Sequence, residues 1–323
     1  MSKEKILASG PIADAATLIL EEFGEIVIAP DFAEETLVEQ VEDAMALVVR
    51  GEGIASARVI EAGKKLRVIG RCGVGYNNID IAAATARKIP VVFTPGAGAR
   101  AVAEGAMSLM LALCKDLYYW DRQLKAGNWH SRFETRTRDM DGATVGIIGF
   151  GRIGQLLAAM LQPFQCTILA HDPYVEPSVA KELETELVSL EQLFERSDFI
   201  SVHAVVTDET KGLIDSKLLG LLKQDCYLVN MARGELIESL DLLEEAMADG
   251  RLAGVGLDVF SPEPPDVSHP IFQRANCLTS PHALGVTFRS TENIFGSMAR
   301  DMAAIFRGEQ PEFLVNPEVM SKV

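Results

Sequence analysis

The sequence predicts an α/β fold with two doubly wound domains, each built on a parallel sheet between helices. Short apolar segments alternate with amphipathic, helix-like segments along the first hundred residues. The apolar segments have few polar interruptions, which is typical of strands whose sheet is covered on both faces. A glycine-rich strand–turn–helix unit begins near residue 144 and opens a second alternating series. A chain of 323 residues is long enough for two such cores.

In the first domain, aliphatic runs predict strands and the segments between them predict helices. The predicted strands cover 6–9, 25–28, 46–49, 66–70 and 90–93, and the helices cover 13–23, 34–41, 56–63 and 79–87. A helical pattern over 100–127 is apolar on nearly every face as far as Cys114, so domain or subunit packing must bury it. The polar segment 128–142 holds Arg132, Arg136 and Arg138, and is interpreted either as a solvated linker or as a contact with the anionic cleft of a partner subunit.

The second domain continues the alternation to a closing helix. Strands are predicted over 144–148, 166–170, 199–203, 227–230, 254–259 and 277–279, with helices over 155–161, 190–196, 239–249 and 288–306 and a helical segment with a break over 210–222. The proline-rich segment 262–270 cannot be regular structure.

Composition excludes several classes of function. The chain has 30 Lys and Arg against 46 Asp and Glu, a formal net charge of −16, which disfavours binding to nucleic acid or to anionic lipid. The amino terminus lacks the pattern of a signal peptide, and five scattered cysteines without a CxxC pair suit a cytoplasmic protein with reduced thiols. No metal is expected, because no His, Cys and carboxylate cluster has ligand spacing.

The glycine turn after residue 148 predicts a dinucleotide site. Gly149 permits a sharp turn, Gly151 lets the backbone approach a diphosphate, and Gly154 lets the next helix pack on the strand. The start of that helix offers free N–H groups and a positive dipole end. Asp172, 18 residues after Gly154, suits an adenosine ribose, and because no Arg or Lys follows it directly, NAD is favoured over NADP. The alternative is that Asp172 only starts the turn with Pro173.

Three loops follow strand ends in the first domain, namely 50–53, 71–78 and 94–100. Each combines glycine with an arginine, and such loops at the carboxyl edge of a sheet can bind an anion through backbone N–H groups. They can also be ordinary turns that need glycine only for positive φ. Because all three loops lie at the same edge of the predicted sheet, an anion-binding cleft is favoured over three unrelated turns.

Charged residues also follow the strand ends of the second domain. Arg233 offers a planar fork for a carboxylate and a carbonyl oxygen, His282 can exchange a proton, and Glu263 can stabilise its imidazolium form. Asp258 could accept a hydrogen bond from a nicotinamide carboxamide. The set suits hydride transfer to a 2-oxo acid. The alternative interpretations are a salt bridge at a helix start for Arg233, a solvated loop carboxylate for Glu263 and a turn residue for His282.

These motifs resemble those of the D-isomer-specific 2-hydroxyacid dehydrogenases, and most of all the phosphoglycerate dehydrogenase-like subgroup. The similar segments are Gly149–Gly154, 230–234, 257–264, 280–282, the loop 71–80 and 102–104. The resemblance implies a flavodoxin-like substrate domain, residues 1–100 and 288–323, with a Rossmann NAD-binding domain, residues 101–287, inserted into it. It also implies a homodimer.

The resemblance also implies residue roles. Arg233, Glu263 and His282 match the catalytic set, Val74 and Gly75 match the amides that bind the substrate carboxylate, and Arg152 and Ile153 match the diphosphate contacts. Arg50 joins Arg233 and His282 in the expected substrate-binding set. The expected cofactor contacts are completed by His203, Ala204, Ala232, Asp258 and Gly285.

The expected reaction is therefore the NAD-dependent interconversion of a D-2-hydroxy acid and its 2-oxo acid, with a phosphoglycerate-like or a hydroxypyruvate- or glyoxylate-like substrate. We expect a second anionic group on the substrate, bound by Arg50, Arg100 or the arginines of 132–138. Two alternatives stay open: an NADPH-preferring glyoxylate or hydroxypyruvate reductase, and an NAD-sensing binding protein like the co-repressors that share this fold.

Overall fold

The computed structural model describes residues 3–134 and 136–320, so residues 1, 2 and 321–323 of the predicted domains lie outside the described part. The chain forms two compact units. Unit 1 comprises Met1–Gly98 and Val286–Val323, and unit 2 comprises Ala99–Gly285.

Unit 1 is a five-stranded parallel sheet covered by helices on both faces. Its strands are β1 (Lys5–Ala8), β2 (Glu25–Ile28), β3 (Ala44–Val49), β4 (Val68–Arg71) and β5 (Val91–Val92), in the order β2-β1-β3-β4-β5. Its first helices are α1 (Asp14–Leu20), α2 (Glu34–Gln40), α3 (Ala57–Ala62) and α4 (Ile81–Ala86). This is the flavodoxin-like strand order, as predicted. Every residue of the central strand β3 is buried, which explains its unbroken apolar sequence.

Unit 2 begins with two helices where the sequence predicted one. α5 (Ala99–Cys114) and α6 (Leu117–Lys125) are separated at Asp116, whose φ of 48° is left-handed and cannot continue a right-handed helix. Ten of the sixteen residues of α5 are buried, and the helix packs within its own unit against the helix and the strands that follow. The short 3₁₀ helix Trp129–Phe133 comes after α6.

The sheet of unit 2 has seven parallel strands. They are β6 (Thr144–Ile148), β7 (Thr167–His171), β8 (Thr185–Leu187), β9 (Phe199–Val202), β10 (Cys226–Asn230), β11 (Leu252–Leu257) and β12 (Cys277–Thr279), in the order β12-β11-β10-β9-β6-β7-β8. The chain reverses direction across the sheet between β6 and β9, as in Rossmann folds. The edge strand β8 is not predicted from the sequence, because three residues are too few for a periodic hydrophobic pattern.

Five further helices accompany this sheet, in addition to α5. They are α7 (Arg152–Leu161), which follows the glycine turn, α8 (Pro177–Glu182), α9 (Leu190–Arg196), α10 (Ser216–Leu219) and α11 (Leu240–Ala248). Of the helical segment predicted with a break over 210–222, only the four residues of α10 form an α-helix, and Gly212, with a φ of +66°, interrupts the segment before it.

The chain ends in unit 1 with α12 (Phe288–Arg307). Thr287 and Ser290 form a capping box at its start, and Gly308 ends it with a φ of +75°. Met298 and Met302 are fully buried against β4, and each buried side chain of this size stabilises the fold by about 1.5–3 kcal/mol. None of the helices in the described part of the chain combines the length and the apolar character that crossing a membrane requires.

Candidate active site

The strand register of unit 2 brings the predicted catalytic residues to one edge of the sheet. Asn230 at the end of β10 pairs with Leu257 at the end of β11, and Leu257 pairs with Thr279 at the end of β12. The three parallel strands therefore end level with one another, and the loops that carry Arg233, Glu263 and His282 leave from neighbouring positions. Ligands of open α/β sheets bind beyond this edge.

His282 and Glu263 are hydrogen-bonded. The Nδ1 atom of His282 lies 3.0 Å from Oε2 of Glu263, and the other carboxylate oxygen accepts from the backbone N–H of Phe260 at 3.0 Å. Glu263 is thus fixed by its own loop and orients the imidazole ring. With Nδ1 facing the carboxylate, Nε2 has no hydrogen-bond partner among the described residues and is the atom that can exchange a proton with a ligand.

Asp258 fastens the loop that carries His282. This carboxylate is 2% exposed, and its Oδ1 accepts hydrogen bonds from the backbone N–H groups of Ala283, at 2.9 Å, and Leu284, at 3.2 Å, and from the Ser280 hydroxyl. His282 itself has a φ of +53°, an uncommon conformation for a residue with a Cβ. Three hydrogen bonds to one buried carboxylate hold the backbone around it. The sequence predicts only a cofactor contact for Asp258, and this positioning role is visible only in the structure.

Asn230 shapes the turn before Arg233. The buried Asn230 side chain accepts from the Ala232 N–H at 3.0 Å and donates to the carbonyl oxygen of Arg233 at 2.9 Å. The guanidinium of Arg233 donates to the Ala232 carbonyl at 2.7 Å and makes no ion pair with any described residue. The alternative interpretation of Arg233, a salt bridge at a helix start, is therefore wrong for the described residues. The sequence predicts no role for Asn230, although it lies in the segment 230–234 that carries the family resemblance.

Gly234 brings the Arg233 loop against the Glu263 loop. A Cβ at position 234 would lie 2.0 Å from the carbonyl carbon of Phe260 and 2.4 Å from the nitrogen of Ser261. The two backbones are thus in direct contact, three residues before Glu263. Hydrogen bonds and backbone packing together place the loops of Arg233, Glu263 and His282 side by side.

The glycine turn has the geometry that a dinucleotide requires. Gly149 has a φ of +87°, and a Cβ there would lie 2.6 Å from the nitrogen of Ala204. A Cβ on Gly154 would lie 2.4 Å from the Gly149 carbonyl oxygen, whereas a Cβ on Gly151 would meet nothing within 4 Å. Gly151 is the N-cap residue of α7, and no side chain caps the helix there, so its first N–H groups remain available to a ligand. These residues fit a diphosphate group.

Asp172 links β7 to the glycine turn. Its Oδ2 accepts from the N–H of Phe150 at 2.8 Å, and its Oδ1 accepts from the N–H of Tyr174 at 2.9 Å. Asp172 therefore does start the turn with Pro173, because its hydrogen bond from the Tyr174 N–H closes that turn. Each oxygen keeps a further lone pair, so the carboxylate can also accept hydrogen bonds from a ribose.

His203 follows β9 and borders the glycine turn. Its Nε2 pairs with the Ser201 hydroxyl at 2.8 Å, while the buried Nδ1 has no partner among the described residues. Burial lowers the pKa of His203 to about 4, so this imidazole is neutral at physiological pH. The predicted contacts Ala204 and His203 lie against Gly149, and Ala232 lies beside Arg233.

The lowered pKa of the partly buried His203 predicts a pH dependence of the free energy of unfolding. Its folded pKa lies below the value of about 6.5 for an unfolded chain, so the unfolded state binds the proton more tightly. The free energy of unfolding should therefore fall as pH falls below 6.5, by about 2 kcal/mol between pH 6.5 and 5 from this residue. Urea denaturation of wild type and His203→Gln measures it, since the difference between the two curves isolates His203. The exposed His130→Gln should leave the slope unchanged, and parallel curves for wild type and His203→Gln would contradict the prediction.

The three glycine-containing loops of unit 1 are tied together by polar side chains. The Asn78 amide donates to the Arg50 carbonyl at 2.9 Å and accepts from Nε of Arg71 at 3.1 Å, and the N–H of Gly73 donates to Thr94 Oγ1 at 2.9 Å. Neither Asn78 nor Thr94 is predicted as a site residue from the sequence. Val74, in the same cluster, is 54% exposed, so its loop can contact a ligand.

Arg50 differs from the other arginines proposed for a second anion. Its guanidinium donates to the carbonyl oxygen of Pro11 at 2.7 Å and lies 5.9 Å from the centre of the Phe295 ring, and it makes no ion pair with a described residue. The others are held by carboxylates or rings: Arg100 by Glu104, Arg136 by Asp116, Arg138 by Asp225, and Arg132 by Trp129 and Phe133. Arg50 therefore has the charge most available to an anion.

The chain is similar to proteins of one dehydrogenase family. Residues 107–283 match the model of the D-isomer specific 2-hydroxyacid dehydrogenase, NAD binding domain. A D-3-phosphoglycerate dehydrogenase of Methanocaldococcus jannaschii is 38% identical over 97% of this chain, which spans 59% of that protein's length. A glyoxylate reductase of Korarchaeum cryptofilum is 34% identical over 98% of this chain and 97% of its own.

Among solved structures, the apo form of D-lactate dehydrogenase from Escherichia coli has a similar fold. It aligns with a TM-score of 0.86 and 26% identity, covering 96% of this chain and 99% of that one. The chain spans only about three fifths of the length of the phosphoglycerate dehydrogenase that it matches.

Proposed function

This chain belongs to the D-isomer specific 2-hydroxyacid dehydrogenase family, and we propose that it is an NAD-dependent enzyme that interconverts a D-2-hydroxy acid and its 2-oxo acid. The observation that carries the proposal is the Glu263–His282 pair, at 3.0 Å, on the sheet edge that also carries Arg233. A proton-exchanging group and an available guanidinium on one edge are what a 2-oxo acid requires.

Each catalytic residue has a distinct role in this proposal. The fork of Arg233 binds the substrate carboxylate and polarises its 2-oxo group. His282 delivers a proton from Nε2 to the carbonyl oxygen during reduction and removes it from the hydroxyl during oxidation. Glu263 accepts the Nδ1 hydrogen bond and stabilises the imidazolium form. NAD, when bound, supplies or accepts the hydride.

The cofactor contacts are assigned to the glycine turn and its neighbours. Backbone N–H groups at Gly151, Arg152 and Ile153 hold the diphosphate at the start of α7, and Asp172 accepts from the ribose hydroxyls. The remaining contacts are Gly149, Gly154, His203, Ala204, Ala232, Asp258 and Gly285. We assign residues 101–287 to the NAD-binding domain and residues 1–100 with 288–323 to the substrate domain.

The test follows the absorbance of NADH at 340 nm during incubation of the protein with NADH and each of a panel of 2-oxo acids. We expect saturable oxidation of NADH with at least one of glyoxylate, hydroxypyruvate, 3-phosphohydroxypyruvate and sulfopyruvate. Tight NADH binding without turnover of any substrate would overturn the proposal and favour an NAD-sensing binding protein. A lower KM for NADPH than for NADH would favour an NADPH-preferring reductase. Glyoxylate is included in the panel because one relative is named a glyoxylate reductase.

Arg50 predicts a preference for substrates with a second anionic group. Its guanidinium has no ion-pair partner among the described residues, and Val74 and Gly75, the proposed substrate-carboxylate amides, lie in a loop tied to it through Asn78. We expect Arg50→Gln to lower kcat/KM for 3-phosphohydroxypyruvate by about 10- to 100-fold, the value of one charge-assisted contact, with little effect on glyoxylate. The ratio of the two kcat/KM values is the measurement.

The matched control for Arg50 is Arg58→Gln, which removes an exposed arginine of the same unit paired with Glu34. It should leave both substrates unchanged. If wild type shows no advantage for the doubly charged acids, the second-anion hypothesis is wrong, whereas the dehydrogenase proposal stands.

We also propose that the protein is a cytoplasmic homodimer. The segment 117–133, which we call the arm, carries five large apolar side chains with high exposure: Leu117 (55%), Tyr118 (47%), Leu124 (61%), Trp129 (59%) and Phe133 (72%). Apolar residues clustered in this way are typical of an interface. Free cysteines at all five positions agree with a reducing compartment.

Light scattering after gel filtration tests the dimer. Wild type should have twice the mass of the chain, and the double variant Trp129→Ala, Phe133→Ala should raise the dimer dissociation constant by at least about 100-fold, as expected for two aromatic interface residues. Tyr174→Ala removes an aromatic side chain that is 84% exposed outside the arm, and should leave the mass unchanged. A monomeric wild type at micromolar concentration would contradict this prediction.

A further inference from the structure

A cavity of about 220 Å³ opens at the edge of the unit 2 sheet opposite to the candidate active site. It lies at the amino ends of β6, β9 and β10, whereas the catalytic loops leave from the carboxyl ends of the sheet. Its lining includes Arg138, Asp139, Asp141, Asp198, Phe199 and Tyr227. A cavity of this size accepts a molecule smaller than a typical drug.

The charges around the cavity do not cancel. Asp139 pairs with Lys115, Asp198 with Lys223 at 2.9 Å, and Arg138 with Asp225 at 2.6 Å. Asp141 is the remaining lining carboxylate, and it makes no ion pair within the described residues. The pairing leaves one uncompensated negative charge, on Asp141, at the rim.

Tyr227 adds a polar group to the cavity. The residue is only 6% exposed, and its hydroxyl has no hydrogen-bond partner in residues 3–134 and 136–320. The hydroxyl oxygen is not fully enclosed by protein atoms, so a ligand in the cavity can reach it. Burial raises the pKa of Tyr227, so the hydroxyl is protonated at neutral pH and its oxygen can accept a hydrogen bond.

Two aromatic residues supply part of the cavity lining. Phe199 and Tyr227 are stacked with their centroids 5.0 Å apart and an interplanar angle of 14°. The carbon atoms of these rings that border the cavity can contact the apolar body of a ligand. An anion in the cavity would be repelled by the Asp141 carboxylate. It would find no free cation there, because Arg138 is already paired with Asp225.

We propose that this cavity binds a small organic cation with N–H donors, such as an alkylammonium compound. The charged head pairs with Asp141 and donates to the Tyr227 hydroxyl, and the alkyl body lies against Phe199. The site is separate from the catalytic edge, and β10 connects the two, running from Tyr227 to Asn230 and the turn of Arg233. The proposal is independent of the dehydrogenase activity, because its test does not use turnover.

Isothermal titration and thermal unfolding at constant ionic strength test the site, with butylammonium as the probe. We expect saturable binding to wild type and a higher Tm. Asp141→Asn and Tyr227→Phe should each weaken binding by about fivefold, the value of one partly exposed ion pair or one hydrogen bond. Tetramethylammonium, which has no N–H donor, should bind more weakly than butylammonium.

Two controls make the result decisive. Butyrate has a similar apolar body with the opposite charge and should not bind, and Asp208→Asn removes an exposed carboxylate elsewhere in unit 2 and should bind like wild type. The proposal is overturned by an absence of saturable butylammonium binding to wild type, by equal binding of butyrate, or by unchanged affinity in both Asp141→Asn and Tyr227→Phe.

Discussion

His282→Ala will lower kcat/KM for the 2-oxo acid by about a thousandfold, while NADH binding stays within about twofold of wild type. The expected factor is that of a positioned general acid, which contributes 10²- to 10⁴-fold. His282 exposes Nε2 without a described partner and is oriented through Nδ1 by Glu263 at 3.0 Å. Steady-state kinetics and NADH fluorescence titration separate the two effects.

His269→Ala is the matched control for His282. His269 is also a loop histidine of unit 2 that pairs with a carboxylate, Asp241, at 2.9 Å, but it lies near the end of the proline-rich segment 262–270 and does not directly follow a strand. It should retain wild-type kcat/KM. Glu263→Gln should keep the ring oriented but remove the negative charge, giving a smaller loss than His282→Ala. If His282→Ala retains more than about a tenth of wild-type kcat/KM, the proton-exchange role is wrong.

Gly151→Val will weaken NADH binding by about 10- to 100-fold with little change in Tm. A side chain at position 151 would meet no protein atom within 4 Å, and the φ of Gly151 is −76°, which any residue can adopt. The fold should therefore tolerate valine. The branched side chain would occupy the space that a diphosphate needs in order to reach the N–H groups of α7, and each such charge-assisted bond is worth about 1.5–3 kcal/mol.

Two glycine variants serve as comparisons for Gly151→Val. In Gly149→Ala, a φ of +87° and an overlap with Ala204 add backbone strain to steric repulsion, so both Tm and NADH affinity should fall. In Gly127→Ala, the φ of +78° is similar but nothing lies within 4 Å, so only the strain remains and NADH affinity should be unchanged. Wild-type NADH affinity in Gly151→Val would contradict the diphosphate assignment.

Much of the site could be predicted because, in a parallel sheet, residues that directly follow a strand lie at the same edge of the sheet. Arg233, Glu263 and His282 each follow a strand, and parallel strands share a carboxyl edge. The hydrogen bond between His282 and Glu263 was expected from that argument. It spans only 19 residues, and the two residues lie in loops that leave from strands β11 and β12, which are neighbours in the sheet.

The residues that position the catalytic set were harder to identify from sequence. Asp258 was expected at the cofactor, but its Oδ1 holds the backbone of residues 283 and 284. Nothing local to Asp258 indicates which backbone it will bind, because its partners lie 25 and 26 residues away. The partners of Arg136 and Arg138 are distant in the same way, and one of them, Asp225, lies 87 residues from Arg138.

The sequence by itself determined the strand alternation, the glycine turn and the edge at which the chemistry lies. These follow from short-range rules: backbone sterics at glycine, hydrophobic periodicity and the geometry of parallel strands. Only the tertiary structure decided which arginine keeps an uncommitted charge, which imidazole is neutral and which carboxylate at the amino edge is unpaired. Each of those depends on the burial and pairing of a polar group by residues far away in the chain, and pairing energies of that kind have no local signature.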